Sequence, residues 1–493
     1  MAHVTEAELL QHVPNELYIN GEWVPAADGS TLTVHDPATG QVIKTIADAG
    51  VADGLAALDA AVAAQDAWAA TPPRVRGEVL RRSFELLQER KHEFALLMTL
   101  EMGKPLAEAY GEVAYGGEFL RWFSEEAVRI TGRYGINPEG TGRTIVSQHP
   151  VGPSFLITPW NFPLAMATRK IAPALAAGCT VVIKPAALTP LTTLYLVKLL
   201  EEAGLPAGVV NVLTTSHTSE VAGPIIADRR LRKLSFTGST AVGQKLIQQS
   251  AQNVLRTSME LGGNAPFLVF DDADLDRAVE GALAAKFRNV GQACTAANRF
   301  IVQASIADEF ARRVTAAVAD FTVGRGTEAG VTIGPLINEE AVAKADGLVQ
   351  DAIERGANLL TGGHAVDRDG TFYEPTVLSG VKPGSAILRE EIFGPVLSII
   401  PFDDEDDAVR IANDTEFGLV SYVYTQNLAR GQRMIERLQT GMMGLNMGVI
   451  SNASAPFGGV KQSGLGREGG SEGIHEYLST KYTLTPDPFA DYD

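Results

Sequence analysis

The chain has 493 residues, 59 of them acidic against 41 basic, for a formal net charge of −18, and only two are cysteines. One hydrophobic core stops growing at about 250 to 300 residues, so a single-core protein is excluded and two large domains are expected. The acidic balance excludes nucleic acid and anionic membrane as partners, and two cysteines exclude a disulfide framework and fit a reducing compartment. The start, Met1-Ala2-His3-Val4-Thr5-Glu6-Ala7-Glu8, has no basic region leading into an apolar run, and nowhere does an uncharged apolar stretch of about 18 residues occur. A cytoplasmic location is expected.

In chain order, residues 52–70 are an Ala-rich helical pattern, and residues 74–101 repeat it with Leu80, Phe84, Leu87 and Phe94 at helical spacing. Residues 132–150 form a polar, Gly-bearing excursion. From 151 the texture becomes short apolar runs alternating with amphipathic stretches: Phe155-Leu156-Ile157, Val181-Val182-Ile183, Val209 to Leu213, Lys233 to Phe236 and Val254 to Met259. Continuous apolar strands between helices predict a parallel sheet covered on both faces, a nucleotide-binding arrangement. A second α/β series follows Gly262-Gly263, with a strand over Pro266 to Phe270, a helix from Asp274 to Asn289 and a strand over Arg299 to Val302. The tail beyond Leu478 alternates Thr with apolar residues. Both the excursion and the tail read as strands in need of an external partner. The expected division is 1–131 with 151–262 for dinucleotide binding, 263–462 for catalysis, and 132–150 with 478–493 as an oligomerisation arm.

Two segments carry chemistry. Cys294 lies in Asn289-Val290-Gly291-Gln292-Ala293-Cys294-Thr295, and Glu260 in Met259-Glu260-Leu261-Gly262-Gly263-Asn264. A thiol and a carboxylate in Gly-rich, weakly charged settings are suited to covalent catalysis on a carbonyl. A cysteine of ordinary pKa, ~8.5, is a poor nucleophile at neutral pH, so the site should supply positive potential. The commoner fate of a free cysteine, a small buried hydrophobe, is assigned to Cys179. Glu260 precedes a Gly-Gly pair where the backbone turns sharply; the bland alternative is a strand-end surface charge. Asn161, between Trp160 and Phe162-Pro163, stands at a helix start and could donate to an oxyanion, or could be a simple cap. Phe236-Thr237-Gly238-Ser239-Thr240 ends a strand and opens a helix, offering amides and the Ser239 hydroxyl to a pyrophosphate. It lacks the usual Gly-x-Gly-x-x-Gly spacing, and alone it is a weak signal.

Seven segments occur in one order: Thr158-Pro159-Trp160-Asn161-Phe162-Pro163, Lys184-Pro185-Ala186, Phe236 to Thr240, Glu260 to Asn264, Gly291 to Cys294, Glu391-Ile392-Phe393-Gly394-Pro395 and Pro456-Phe457-Gly458-Gly459. With these, nearly the whole chain from Tyr18-Ile19-Asn20-Gly21 onward resembles the aldehyde dehydrogenase superfamily, most of all its succinate-semialdehyde branch. The resemblance implies an α/β fold: a Rossmann-type cofactor domain, an α/β catalytic domain and a β oligomerisation arm, assembled as a homodimer or homotetramer. It implies Cys294 as nucleophile, Asn161 as oxyanion donor and Glu260 as activator of the hydrolytic water. It implies NADP or NAD as cofactor, with Thr158, Pro159, Trp160, Lys184, Ala187, Gly238, Ser239, Glu391 and Phe393 as binding positions, and no metal. A solvated Lys184, a surface Glu391 and a core Phe393 are the bland alternatives.

Where many NAD-preferring relatives have Glu, this chain has Ala187, which removes a barrier to a ribose 2′-phosphate. Arg169, Arg288 and Ser451 match positions that bind a substrate carboxylate, and guanidinium groups suit that task. Ala296 stands where some members carry a second cysteine, so that local redox switch is not expected. The small-molecule partner implied is an aldehyde bearing a carboxylate, oxidised through a cysteine thiohemiacetal and thioester. Glutarate semialdehyde or another ω-acid aldehyde is the nearest rival, since one methylene discriminates by only ~1–3 kcal/mol. A non-catalytic protein retaining the fold is the rival of a different kind; it should have lost one of Cys294, Glu260 or Asn161.

Overall fold

The computed structural model describes residues 4–490. Met1 to His3 and the last positions of the expected arm, 491–493, lie outside the described residues.

Five parallel strands form the centre of an eight-stranded sheet, in the spatial order Arg256–Glu260, Lys233–Thr237, Ser154–Ile157, Val181–Lys184, Val210–Val212. Four of the five are buried along their whole length, because helices cover both faces. Short antiparallel strands close the edges, Leu17–Ile19 with Glu22–Val24 on one side and Gly464–Leu465 on the other. The chain runs outward from Ser154–Ile157 through the next two strands, then crosses back to lay Lys233–Thr237 on its opposite side. The carboxyl ends of Ser154–Ile157 and Lys233–Thr237 are therefore neighbours from which the chain departs in opposite directions. A crevice at such a reversal is where open α/β sheets bind ligands, and Thr158-Pro159-Trp160 and Gly238-Ser239 follow these two strands.

The helical pattern expected over 74–101 is two helices, Pro73–Glu89 and Lys91–Met102, parted at Arg90, whose φ of −103° and ψ of 21° leave helical geometry. No Gly or Pro stands between them, so periodicity runs through the break without a signal. Another helix, Leu106–Glu126, has no counterpart in the sequence reading. It contains Gly111, Gly116 and Gly117, each unfavourable in a helix interior. The last two are packing residues: a Cβ on Gly116 would stand 3.1 Å from the Ala165 backbone, and one on Gly117 3.2 Å from Leu87. They let this helix approach Pro163–Ala177 and Pro73–Glu89 closely.

A second sheet has seven strands in the order Asn358–Thr361, Thr376–Ser379, Val396–Phe402, Ala297–Gln303, Ala265–Val269, Val420–Tyr424, Met442–Leu445. Only its first pair is antiparallel. Its core is separate from the two that pack the faces of the first sheet. The chain beyond 462 returns to the first sheet, through Gly464–Leu465 and the short helix Glu472–His475 against Pro163–Ala177.

The excursion and the tail find strand partners within the chain. They pair with each other: Leu478–Pro486 runs antiparallel along all of Gly142–Pro150, whose other edge takes Arg133–Ile136. Leu478–Pro486 and Arg133–Ile136 are the two edges of this three-stranded sheet, with no further strand beyond them among the described residues, and Tyr134, Ile136, Tyr482 and Leu484 stay exposed. Among the described residues, no helix is long and apolar enough to cross a membrane.

Candidate active site

Glu260 is the last residue of its strand, and Gly262-Gly263 carries the chain from the carboxyl end of the first sheet to the amino end of Ala265–Val269 in the second. Cys294 lies in the loop between the helix Leu275–Phe287 and the strand Ala297–Gln303. Gly263 is required by proximity: a Cβ there would stand 2.7 Å from the Cys294 carbonyl oxygen. The thiol thus sits where the two sheets face each other.

The turn before the nucleophile is left-handed through Asn289, Val290 and Gly291, with φ of 56°, 59° and 74°. A β-branched residue in that region is strained by about 1–3 kcal/mol, and surrounding bonds hold it. The Asn289 backbone N–H donates to the Glu108 carboxylate at 2.5 Å, and its Nδ2 donates to the carbonyls of Asn161 at 3.0 Å and Gln292 at 2.9 Å. The Gln292 Oε1 accepts from the Ile337 N–H at 2.9 Å.

Asn161 is buried, with Nδ2 donating to the Gln292 carbonyl at 2.9 Å and Oδ1 unpartnered. Its own carbonyl accepts from Lys104 Nζ at 2.9 Å. Lys104 is buried and ion-paired with Glu112, whose other oxygen accepts the Leu164 and Ala165 N–H groups at 2.9 and 3.0 Å, capping the helix that begins at Pro163. Lys104, Glu108, Glu112, Asn289 and Gln292 were not singled out in the sequence. For Glu108 and Glu112 the one legible signal is charge inside a largely apolar segment, Asn289 and Gln292 stand near the nucleophile in sequence, and nothing local says which carbonyl or helix start each meets.

Burial pushes the Cys294 thiol up to about 12, with Glu391 and Glu260 adding to the effect and Arg169 and Arg288 opposing it. The expected positive potential is present in these two arginines, but desolvation outweighs it. Glu260 is held well above the usual carboxylate range, first by burial and then by the negative charge of Glu468. Both of its carboxyl oxygens are buried and without hydrogen-bond partners.

On one side of Cys294 opens a cleft of about 360 Å³ whose walls include Pro159, Trp160, Gly238, Ser239, Glu391 and Phe393. Ser239 is the N-cap of Thr240–Ser250, but its side chain makes no capping bond, which leaves hydroxyl and helix-start amides facing the cleft. The Phe236 ring fills the space a Cβ on Gly238 would need, 2.4 Å away. Phe393, left-handed at φ 54°, meets the Trp160 ring edge-on with centroids 5.4 Å apart. Glu391 accepts the Gly263 N–H at 3.2 Å, and burial raises its carboxyl to about 7. Donors, an aromatic pair and a carboxylate thus line one crevice at the sheet reversal, and these residues fit a dinucleotide.

Three positions from the sequence reading do not line this cleft. Lys184 is buried beside Ile157 at its strand end, with Nζ donating to the Thr218 hydroxyl at 3.3 Å and burial lowering its pKa to about 8. Thr158 is buried with its hydroxyl unpartnered, and Ala187 is half-buried in the turn after Lys184.

On the other side of Cys294 lies a narrow cavity walled by Tyr115, Phe162, Arg169, Arg288, Ser451 and Phe457. Arg288 Nη2 donates to the Ser451 hydroxyl at 3.3 Å, and its guanidinium faces the Phe162 ring. Arg169 departs from the free guanidinium the sequence suggests. It is fully buried, ion-paired with Glu468 and covered by the Phe457 ring at 4.2 Å. Lys170 Nζ reaches the same carboxylate at 2.6 Å. In the cavity wall Arg169 also meets the Tyr115 hydroxyl, to which it can only donate.

Residues 23–483 match the aldehyde dehydrogenase family. The chain is 59% identical to a succinate-semialdehyde dehydrogenase of Paenarthrobacter nicotinovorans, over 91% of this chain and all of that protein. It is 50% identical to a glutarate-semialdehyde dehydrogenase of Pseudomonas putida, over 95% of this chain and 97% of that protein. An E. coli NADP-dependent enzyme of known crystal structure superposes with a TM-score of 0.95 at 48% identity, covering 96% of this chain and 98% of that one.

Proposed function

Because the chain belongs to the aldehyde dehydrogenase family, we propose that it oxidises succinate semialdehyde to succinate with NADP or NAD. The observation that carries the substrate is the Arg288–Ser451 pair, with Arg169 beside it, in the cavity that shares Cys294. A guanidinium and a hydroxyl bind a carboxylate through charge-assisted hydrogen bonds, and they leave the aldehyde end directed at the thiol.

Cys294 Sγ, as the thiolate left once its proton has passed to solvent, forms the bond to the aldehyde carbon as the carbonyl π pair moves onto oxygen. Asn161 steadies that oxyanion, since one hydrogen of its amide is committed to the Gln292 carbonyl and the other is free. Pro159, Trp160, Gly238, Ser239, Glu391 and Phe393 hold the dinucleotide, with Thr158, Lys184 and Ala187 behind them. The nicotinamide, when bound, supplies the hydride acceptor that takes the thiohemiacetal to the thioester. Glu260 then accepts a proton from water as the water oxygen bonds to the acyl carbon and the C–S bond breaks, returning the Cys294 thiolate. A buried base of raised pKa suits that role near neutrality.

Ala187 lacks the carboxylate that would repel a 2′-phosphate, which supports acceptance of NADP and a preference for it. Residues 1–131 with 151–262 serve the cofactor and 263–462 catalysis. The arm of 132–150 and 478–493, with its exposed Tyr134, Ile136, Tyr482 and Leu484, joins copies of the chain into a homodimer or homotetramer in the cytoplasm. The similarity to a glutarate-semialdehyde dehydrogenase favours one second reading, the acid aldehyde longer by a methylene.

The test is steady-state turnover of succinate semialdehyde, glutarate semialdehyde and propanal with each cofactor. Strong preference for the acids over propanal is expected, and their ratio names the substrate. Equal activity on propanal would overturn the acid-aldehyde reading.

A further inference from the structure

The Arg288–Ser451 pair leaves one polar group of the same cavity without a role. Tyr115, on the helix Leu106–Glu126, lines both the narrow cavity at Cys294 and the funnel that leads to it between this helix and the loop around Asn452. Its hydroxyl is buried, and while its oxygen can accept from the Arg169 guanidinium, its proton has no acceptor. A buried O–H without an acceptor is costly and uncommon, so this one is explained best by an acceptor that arrives with the ligand.

The chemistry of its surroundings says which kind of partner. The charged neighbours of the hydroxyl are Arg169 and Arg288, and a guanidinium donates hydrogen bonds but accepts none. Neither can take the hydroxyl proton. Burial raises the pKa of the phenol, so it keeps that proton and remains a donor at neutral pH. Arg169 is held by Glu468, whereas Arg288 lines the cavity with the Ser451 hydroxyl as its partner, a match for one anionic group. The ring is held in place, edge-on to Phe119 with centroids 5.1 Å apart, so the donor is positioned before the ligand enters.

We propose that the Tyr115 hydroxyl donates directly to the carboxylate held by Arg288 and Ser451, making Tyr115 a specificity contact for acid aldehydes. The inference rests on the acid-aldehyde reading of this cavity and adds a donor to it.

The experiment compares kcat/KM for succinate semialdehyde and for butanal in the wild-type protein and in Tyr115→Phe, which removes only the oxygen. A hydrogen bond to a charged group accounts for about tenfold or more in such a constant, so the acid-to-butanal ratio should fall by about that factor in the variant. A wild-type protein with no preference for the acid would overturn the reading beneath. A wild-type preference kept intact in Tyr115→Phe would leave that reading standing and overturn the role of Tyr115 alone. If the variant does not fold, a crystal of the wild-type protein soaked with succinate decides: the carboxylate bound by Arg288 lies within hydrogen-bond distance of the hydroxyl, or the inference is wrong.

Discussion

Arg169, in the wall of the substrate cavity, is ion-paired with Glu468, and the same carboxylate receives Lys170 from the next position of the helix. All three groups are buried. Two cations on one anion leave a surplus positive charge beside the nucleophile, and the shared carboxylate fixes the guanidinium in the cavity wall.

Neutralising that anion has two consequences of known sign. Glu468→Gln strands two buried cations, which costs about 3–5 kcal/mol and should lower the denaturation midpoint. The negative charge of Glu468 raises the Glu260 pKa, so its removal lowers it, and the acid limb of the kcat–pH profile should move to lower pH. An unchanged midpoint together with an unmoved limb would show that Glu468 bears on neither.

Glu260→Gln separates the two halves of the reaction. Acyl-enzyme should still form, giving a burst of about one reduced cofactor per active site, while steady turnover falls by about 10²–10⁴, the usual contribution of a general base. Stopped-flow absorbance at the reduced nicotinamide band reads both. Loss of the burst itself would place Glu260 in the first half.

In the cofactor-free protein the Cys294 thiol is pushed up to about 12 by burial. An acid with a raised pKa stays protonated below that value, so alkylation by iodoacetamide should be slow at pH 7 and climb about tenfold per pH unit toward pH 10, in step with the thiolate fraction. Cys179 is fully buried, and mass spectrometry should find a single adduct on Cys294. A fast, pH-independent reaction at pH 7 would mean the thiol is already ionised.

Ala187→Glu should restore discrimination against the 2′-phosphate. The ratio of kcat/KM for NADP over NAD is expected to drop by about tenfold or more, the scale of a like-charge clash near a binding site. A ratio that does not move would remove Ala187 from cofactor choice.

Strands such as Phe155 to Ile157 and Val181 to Ile183 were legible because strands buried on both faces must be apolar throughout, and that requirement is written into adjacent positions. Cys294, Glu260 and Asn161 were legible through their neighbours, where glycines and a proline mark turns that aim a side chain. The helix Leu106–Glu126 was hidden by glycines whose purpose is contact with Ala165 and Leu87, residues far away in the chain. The break at Arg90 carried no local mark at all.

Sequence alone determined the local periodicities, the acidic charge balance and the residue types offered to a carbonyl and a dinucleotide, because each depends on composition or on near neighbours. Tertiary structure decided which charges met. Whether Arg169 is free or held by Glu468, whether Lys104 anchors the Asn161 carbonyl, and whether the excursion at Gly142–Pro150 pairs with the tail at Leu478–Pro486 all depend on where distant segments return. Hydrogen bonds need partners within about 3 Å, and charges interact strongly only once water is removed from between them, so those pairings, and the raised pKa values of Cys294 and Glu260 that follow from burial, exist only once the two sheets face each other.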